Sequence, residues 1–121
     1  MIRLPMLDGE KFAYTVPLDG RGYVFRWWWD ERLGDWFFSI FDPGGDPLAA
    51  GVRVVLGWPL LRNFTDERLP DGMLMAVDMS GRRQRAGVDE LGDRVVVHYL
   101  SPDEIPDSSV EDDPKLSFTV L

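Results

Sequence analysis

Residues 23–29 read Tyr-Val-Phe-Arg-Trp-Trp-Trp and residues 36–41 read Trp-Phe-Phe-Ser-Ile-Phe, and these two runs decide the fold. Aromatic and β-branched residues favour strands, and the polar stretch between the runs contains a glycine, so the sequence predicts a β-hairpin. Side chains alternate between the two faces of a strand, which places Trp27 on one face and Trp28 on the other. Neither face is polar throughout. We therefore expect one face to form the core and the other to be covered by a second sheet, a long loop or a partner chain.

Further strands are predicted on both sides of this hairpin, each bounded by turn residues. They comprise residues 2–6, 11–16, 52–56, 73–78 and 94–100. Residues 59–64 fit either a short helix or an irregular loop, and residues 89–92 fit a single helical turn. Because strands are many and helices few, the predicted fold class is all-β, a small antiparallel β-sandwich or barrel with short helical turns.

The composition of the chain changes at Pro102. Residues 1–101 carry the predicted strands and form one β domain, whereas residues 102–121 form an acidic linker and an extended C-terminal arm. The net charge of the protein is −8, and residues 103–113 contain six acids and no base. This charge argues against sequence-independent binding of DNA or RNA, which depends on lysine and arginine, and nothing predicts a sequence-specific nucleic-acid partner.

Residues 115–121 of the arm regain the alternation of a strand. Its apolar positions are Leu116, Phe118 and Val120. An apolar strand beyond an acidic tether either folds back on its own domain or adds to the sheet edge of a neighbour, and the sequence leaves both open.

Two features of the composition concern the compartment in which the protein folds. The chain has no cysteine, which predicts folding in a reducing cytoplasm without a disulfide framework. Its first residues lack the apolar stretch of a signal peptide, and no apolar run approaches the ~20 residues that span a bilayer. We expect no membrane partner.

The sequence contains no pattern for catalysis, metal binding or cofactor binding. One histidine and no cysteine are too few for a zinc or iron site, and no glycine-rich phosphate loop is present. His98 lies in a β-branched strand, where a packed or rim histidine is expected. We therefore predict a protein that is not an enzyme. A small hydrolase stays as an alternative because carboxylates are numerous, and it would need converging acids of perturbed pKa.

The five tryptophans support two further readings of the function. They either fill a core and a subunit contact, or line a carbohydrate-binding surface. Trp28 is the best interface candidate because it shares its face with Arg26, and tryptophan and arginine are enriched at the energetic centres of interfaces. The predicted interface residues are Arg26, Trp28, Phe37, Trp58, Leu116, Phe118 and Val120.

One more pattern, of turn and strand residues, is spread over residues 1–101. Its members are Tyr23, Phe25, Trp27, Trp36, Asp42, Gly44, Gly45, Pro47, Leu48, Gly51, Leu56, Gly57, Leu60, Leu61, Pro70, Gly72, Leu74, Asp78, Leu91, Gly92, Arg94 and Tyr99. The pattern resembles the baseplate plug proteins of contractile-tailed phages, known from a cyanophage baseplate. The arm lies outside it.

This resemblance implies a non-enzymatic virion protein at the centre of the tail baseplate. The implied partners are the tube, hub and spike proteins, together with further copies of the chain around the tail axis. Assembly would take place in the host cytoplasm. The two-sided hairpin fits this role, because a ring of copies needs apolar surface beyond the core of each subunit.

Overall fold

The computed structural model describes residues 1–105 of the chain. This part forms seven strands and one 3-10 helix: β1 (Ile2–Arg3), β2 (Lys11–Leu18), β3 (Arg21–Asp30), β4 (Asp35–Phe41), β5 (Pro47–Arg53), β6 (Met73–Asp78), β7 (Val95–Leu100) and the 3-10 helix Pro102–Glu104. The strands make two antiparallel sheets, ordered β1-β7-β6 and β2-β3-β4-β5. The predicted all-β class is confirmed, and the strands of the described residues do not close into a barrel.

The predicted hairpin forms the centre of the four-stranded sheet. β3 and β4 pair in antiparallel register, with Trp27 opposite Phe38. β2 joins β3 through a two-residue turn at Asp19 and Gly20, which have φ angles of 52° and 82°. Positive φ at both turn residues is the geometry of a type I′ turn, whose twist matches that of the flanking strands.

The inner faces of the two sheets share one hydrophobic core. The four-stranded sheet contributes Tyr23, Phe25, Trp27, Trp36, Phe38 and Ile40, and the three-stranded sheet contributes Leu74, Ala76, Val95, Val97 and Tyr99. Trp27 has no exposed surface; its ring centroid lies 4.7 Å from that of Phe38, and its Nε1 donates to the Tyr14 hydroxyl at 3.0 Å. The prediction that Trp27 and Trp28 lie on opposite faces and that one face forms the core is therefore confirmed, and the core face is that of Trp27.

The fifth strand lies earlier in the chain than predicted. It spans Pro47–Arg53, whereas the sequence pointed to residues 52–56. Gly51 adopts a φ of 65° and its N–H donates to the Ser39 hydroxyl at 3.0 Å, which makes a bulge in the pairing with β4. The bulge lets the residues before it join the sheet. The chain then crosses to the other sheet, where Leu56 bridges to Ala76.

Residues 59–64 form consecutive turns, so the loop alternative holds and the short helix does not. The loop runs beside β6: the Gly57 N–H donates to the Ala76 carbonyl at 3.0 Å, and the Leu60 N–H donates to the Leu74 carbonyl at 2.9 Å. It thereby covers one edge of the three-stranded sheet. No helix among the described residues is long and apolar enough to cross a membrane.

β1 is also shorter than predicted, because it ends at Arg3 and not at residue 6. Pro5 follows closely, and a proline has no N–H with which to continue the ladder. The Leu4 N–H still donates to the Val97 carbonyl at 2.9 Å, which holds the segment against β7.

The folded body continues past the predicted boundary at Pro102. Residues 102–104 form the 3-10 helix, and the Ser101 hydroxyl donates to the Asp19 carboxylate at 2.7 Å. The amino group of Met1 pairs with the Glu104 carboxylate. The remaining residues of the predicted linker and the predicted interface residues Leu116, Phe118 and Val120 lie outside the described residues.

Candidate interaction surface

The side of the four-stranded sheet that points away from the core is covered by no other element of residues 1–105. We call it the outer face, and its members include Lys11, Ala13, Thr15, Val24, Arg26, Trp28, Asp30, Asp35, Phe37, Ser39, Phe41 and Arg53. Arg26 is exposed and Trp28 is half-buried, whereas Trp27, their neighbour on the inner face, has no exposed surface. One face of the hairpin thus serves the core, and the other is available for contact.

The aromatic residues of the outer face form two groups. Trp28 and Phe37, which are paired across β3 and β4, stack with ring centroids 5.9 Å apart and an interplanar angle of 15°. The Arg26 guanidinium lies 5.0 Å from the centroid of the Phe41 ring, within the range of a cation–π contact. The rings hold one another in place, so this part of the outer face is preorganised.

The charge of the outer face differs from that of the whole protein. Its charged members are the cations Lys11, Arg26 and Arg53 and the paired acids Asp30 and Asp35 at one end, whereas the net charge of the chain is −8. At one end, the buried Asp35 carboxylate pairs with Arg53 and accepts a hydrogen bond from Arg85 at 3.1 Å. A partner with carboxylates next to apolar side chains would complement this arrangement.

A single arginine holds the loop that carries Arg85. The Arg94 guanidinium donates to the carboxylates of Asp78 (2.5 Å) and Glu90 (2.8 Å). It also donates to the backbone carbonyls of Gln84 (2.9 Å) and Arg85 (2.8 Å). The side chain of Arg94 is 11% exposed, so these contacts are partly shielded from water. Together they fix the basic loop against the body and position the Arg85 side chain beside Asp35.

This cluster lowers the pKa values of its two acids. Burial opposes ionisation of Asp78, but hydrogen bonds from Gln84 and Ser80, together with the charge of Arg94, hold the pKa of its carboxyl well below the usual range. The pKa of Glu90 is lowered to about 2, chiefly by its hydrogen bond from Arg94. Both acids are ionised at neutral pH and act as partners of the guanidinium.

The described residues offer little to the hydrolase alternative. The carboxyl groups with a clearly shifted pKa are all shifted downward: Asp19, Asp66, Asp78, Glu90 and Glu104. A carboxyl group that acts as a general acid needs a raised pKa instead. Within residues 1–105, no group of three or more acids and histidines is arranged to hold a metal ion. His98 is half-buried in β7, opposite Arg3 and Met75, as a rim histidine.

The structure brings together three of the predicted interface residues, Arg26, Trp28 and Phe37. Trp58 is elsewhere: it lies in the loop beside β6, is 43% exposed, and has the Arg62 guanidinium 5.0 Å from its ring centroid. Sequence reasoning missed Phe41 as a member of the surface. Its position two strand periods after Phe37 was the available signal, since residues four apart in a strand share a face.

A comparison with family models adds to this geometry. The model described as "Cyanophage baseplate Pam3 plug gp18" matches residues 1–103. The chain belongs to this baseplate plug family. Membership confirms the resemblance seen in the sequence, and it makes the chain a structural component of the virion tail baseplate that interacts with other baseplate components. No curated protein matches the chain. The matched range includes the seven strands of the described residues and the whole outer face, while residues 104–121 lie beyond it.

Proposed function

We propose that this plug-family subunit joins the tail tube to the hub and spike by docking its outer face on neighbouring subunits. The observation that carries the proposal is an uncovered face on which Trp28, Phe37 and Phe41 lie beside Arg26. Aromatic and arginine side chains supply most of the binding energy in protein interfaces. The subunit works by shape and contact, without catalysis, in several copies around the tail axis.

The partner surface follows from the chemistry of the outer face. Half-exposed rings gain most from apolar side chains that exclude water, and each large ring removes ~150–250 Å² of surface when fully buried. Lys11 and Arg26 favour carboxylates at the rim, where they steer association and select among partners. We propose that this assembly takes place in the host cytoplasm, where a chain without cysteine folds independently of disulfides.

Co-purification with the tube, hub and spike proteins of the same phage tests this proposal. The full-length chain is expected to co-purify with at least one of them, and Trp28→Glu is expected to abolish the capture by placing a charge in the contact. Leu33→Glu is the matched control, because Leu33 is 54% exposed in the turn of the same hairpin but lies off the outer face. Retention of binding by Trp28→Glu, with its circular dichroism unchanged, would exclude the outer face as the contact.

The carbohydrate-binding alternative has less structural support. Trp27 and Trp36 are buried, and Trp29 packs against the core. Trp28 and Trp58 remain: Trp28 lies in β3 of the four-stranded sheet and Trp58 lies in the loop beside β6 of the other sheet, so they do not form one platform in residues 1–105. Tryptophan fluorescence is expected to stay unchanged when oligosaccharides are added. A saturable spectral shift would favour the carbohydrate-binding function.

A further inference from the structure

β2 is an edge strand, and no segment of residues 1–105 pairs with its free side. The other two long edges are modified: the loop at residues 57–60 covers β6, and the bulge at Gly51 interrupts β5. A regular edge presents unpaired N–H and C=O groups, which are a template for an added strand. β2 is therefore the place on this fold where another strand can bind.

The register of β2 shows which backbone groups are available. The Trp29 N–H donates to the Glu10 carbonyl at 2.9 Å, and bonding alternates in antiparallel pairs, so every second residue from Phe12 onward bonds to β3. The positions whose N–H and C=O groups point away from β3 are Lys11, Ala13 and Thr15. Pro17 is the next position of this set and has no N–H, which is the placement expected of a proline on an edge strand.

The side chains along this edge are incompletely covered on the inner side. Phe12 and Tyr14 stack with ring centroids 6.3 Å apart and pack against the core, yet both remain half-buried. On the outer side, Ala13 and Thr15 are small and exposed. An added strand with large apolar residues on one side and small polar residues on the other would complete both faces.

Residues 115–121 have this pattern. Residues paired across neighbouring strands point to the same face of the sheet. With the apolar set on the inner side, the neighbours of Phe12 and Tyr14 would be Leu116, Phe118 and Val120. Ser117 and Thr119 would then lie beside Ala13 and Thr15 on the outer side.

The path of the chain favours the β2 of another copy over its own. The Ser101 hydroxyl binds Asp19, so the chain leaves the body at the Leu18 end of β2. Antiparallel addition to the same β2 would begin at that end and needs a connection of only ~2–5 residues. A linker of nine residues, 106–114, has a maximum reach of about 28 Å at ~3.1 Å per residue. This is longer than such a turn needs and is enough for residues 115–121 to reach the β2 of a neighbouring copy.

We propose that residues 115–121 of one copy add as a strand to β2 of a neighbouring copy. Main-chain hydrogen bonds to Lys11, Ala13 and Thr15 would supply affinity. Burial of Phe12 and Tyr14 would determine which face of the added strand points inward. This contact rests on the proposed function, since it joins copies of one structural subunit. It uses a different surface from the outer face, so each is tested separately.

Engineered disulfides test the contact directly, because the full-length chain contains no other cysteine. Chains carrying Ala13→Cys are mixed with chains carrying Ser117→Cys or Thr119→Cys, which cover two registers, and are oxidised gently. Opposed residues in such a pair have Cα atoms about 5.5 Å apart, within the range that a disulfide bridges. Ala50→Cys is the matched control, an exposed alanine on the β5 edge of the same sheet. We expect at least about tenfold more cross-linked dimer from Ala13 than from Ala50.

Equal yields from Ala13→Cys and Ala50→Cys would overturn the proposal. So would an intramolecular bridge in a dilute chain carrying both Ala13→Cys and Ser117→Cys, because the arm would then pair with its own β2. Size measurement of a chain ending at Ile105 is the second readout: it is expected to keep the β fold and to lose self-association. If cross-linking fails while tube or hub proteins are still captured, only the proposed arm contact is excluded. If cross-linking succeeds while capture fails, only the proposed outer-face contact is excluded.

Discussion

Replacing two adjacent tryptophans separates the core face of the hairpin from its outer face. Trp27→Ala removes a side chain with no exposed surface, whereas Trp28→Ala removes one that is half-buried against Phe37. Burying ~200 Å² of a large aromatic at ~25 cal/mol per Å² gives about 5 kcal/mol, and measured core replacements of this kind cost about 3–5 kcal/mol. The loss of Trp27 also leaves the Tyr14 hydroxyl without its Nε1 donor. We expect Trp27→Ala to use up much of the ~5–15 kcal/mol that stabilises a domain of this kind.

The Trp28→Ala change is expected to cost about half as much, about 2.5 kcal/mol, because only ~100 Å² of this half-buried side chain is removed from water. Urea unfolding followed by circular dichroism measures both changes, and the two midpoints should differ clearly while the slopes stay alike. Capture of baseplate partners should separate binding from stability, because Trp28→Ala is expected to remain folded and yet to lose binding. If Trp28→Ala lowered the midpoint as far as Trp27→Ala, the outer face would already be covered by the protein's own chain. The docking proposal would then fail.

Two further predictions concern the body of the fold. A Cβ on Gly72 would collide with the backbone carbonyl oxygen of Leu100 and would lie 2.6 Å from Cζ and from the hydroxyl oxygen of Tyr99, so Gly72→Ala should cost about 1–3 kcal/mol in urea unfolding. Gly44→Ala, where the nearest atom is 3.4 Å away, should not change the midpoint, and equal midpoints would contradict this packing. The pKa of Glu90 lies at about 2, below its ordinary value of 4.5, so its pairing with Arg94 stabilises the fold fully above about pH 4.5 and is lost as the pH falls toward 2. Glu90→Gln should therefore lower the urea midpoint at neutral pH and leave it unchanged near pH 2, and a loss that is the same at both pH values would refute the ion pair.

The central hairpin was predictable because its signal is local. Alternation placed Trp27 and Trp28 on opposite faces, and the structure agrees, with Trp27 in the core. The turn at Asp19 and Gly20 was likewise readable, since few residue pairs accept positive φ. The same alternation pointed to an outward face with Arg26 and Phe37.

The remaining features depend on contacts between distant segments. The bulge at Gly51 places β5 earlier in the chain than predicted. It forms because the Gly51 N–H donates to the Ser39 hydroxyl on β4. Arg94 organises residues 78–90 through four partners, and no spacing rule identifies such a cluster in advance. That Lys11, Arg26 and Arg53 share the outer face could not be predicted without the strand register, because only strand pairing brings Lys11 and Arg53 to this sheet face.

Pro17 limits the number of residues over which an added strand can pair with β2. The open stretch of β2 ends where the proline interrupts it, so an incoming segment gains main-chain bonds over about five residues and then stops. An edge of that length matches one short added strand, such as residues 115–121, and the proline sets where the pairing ends.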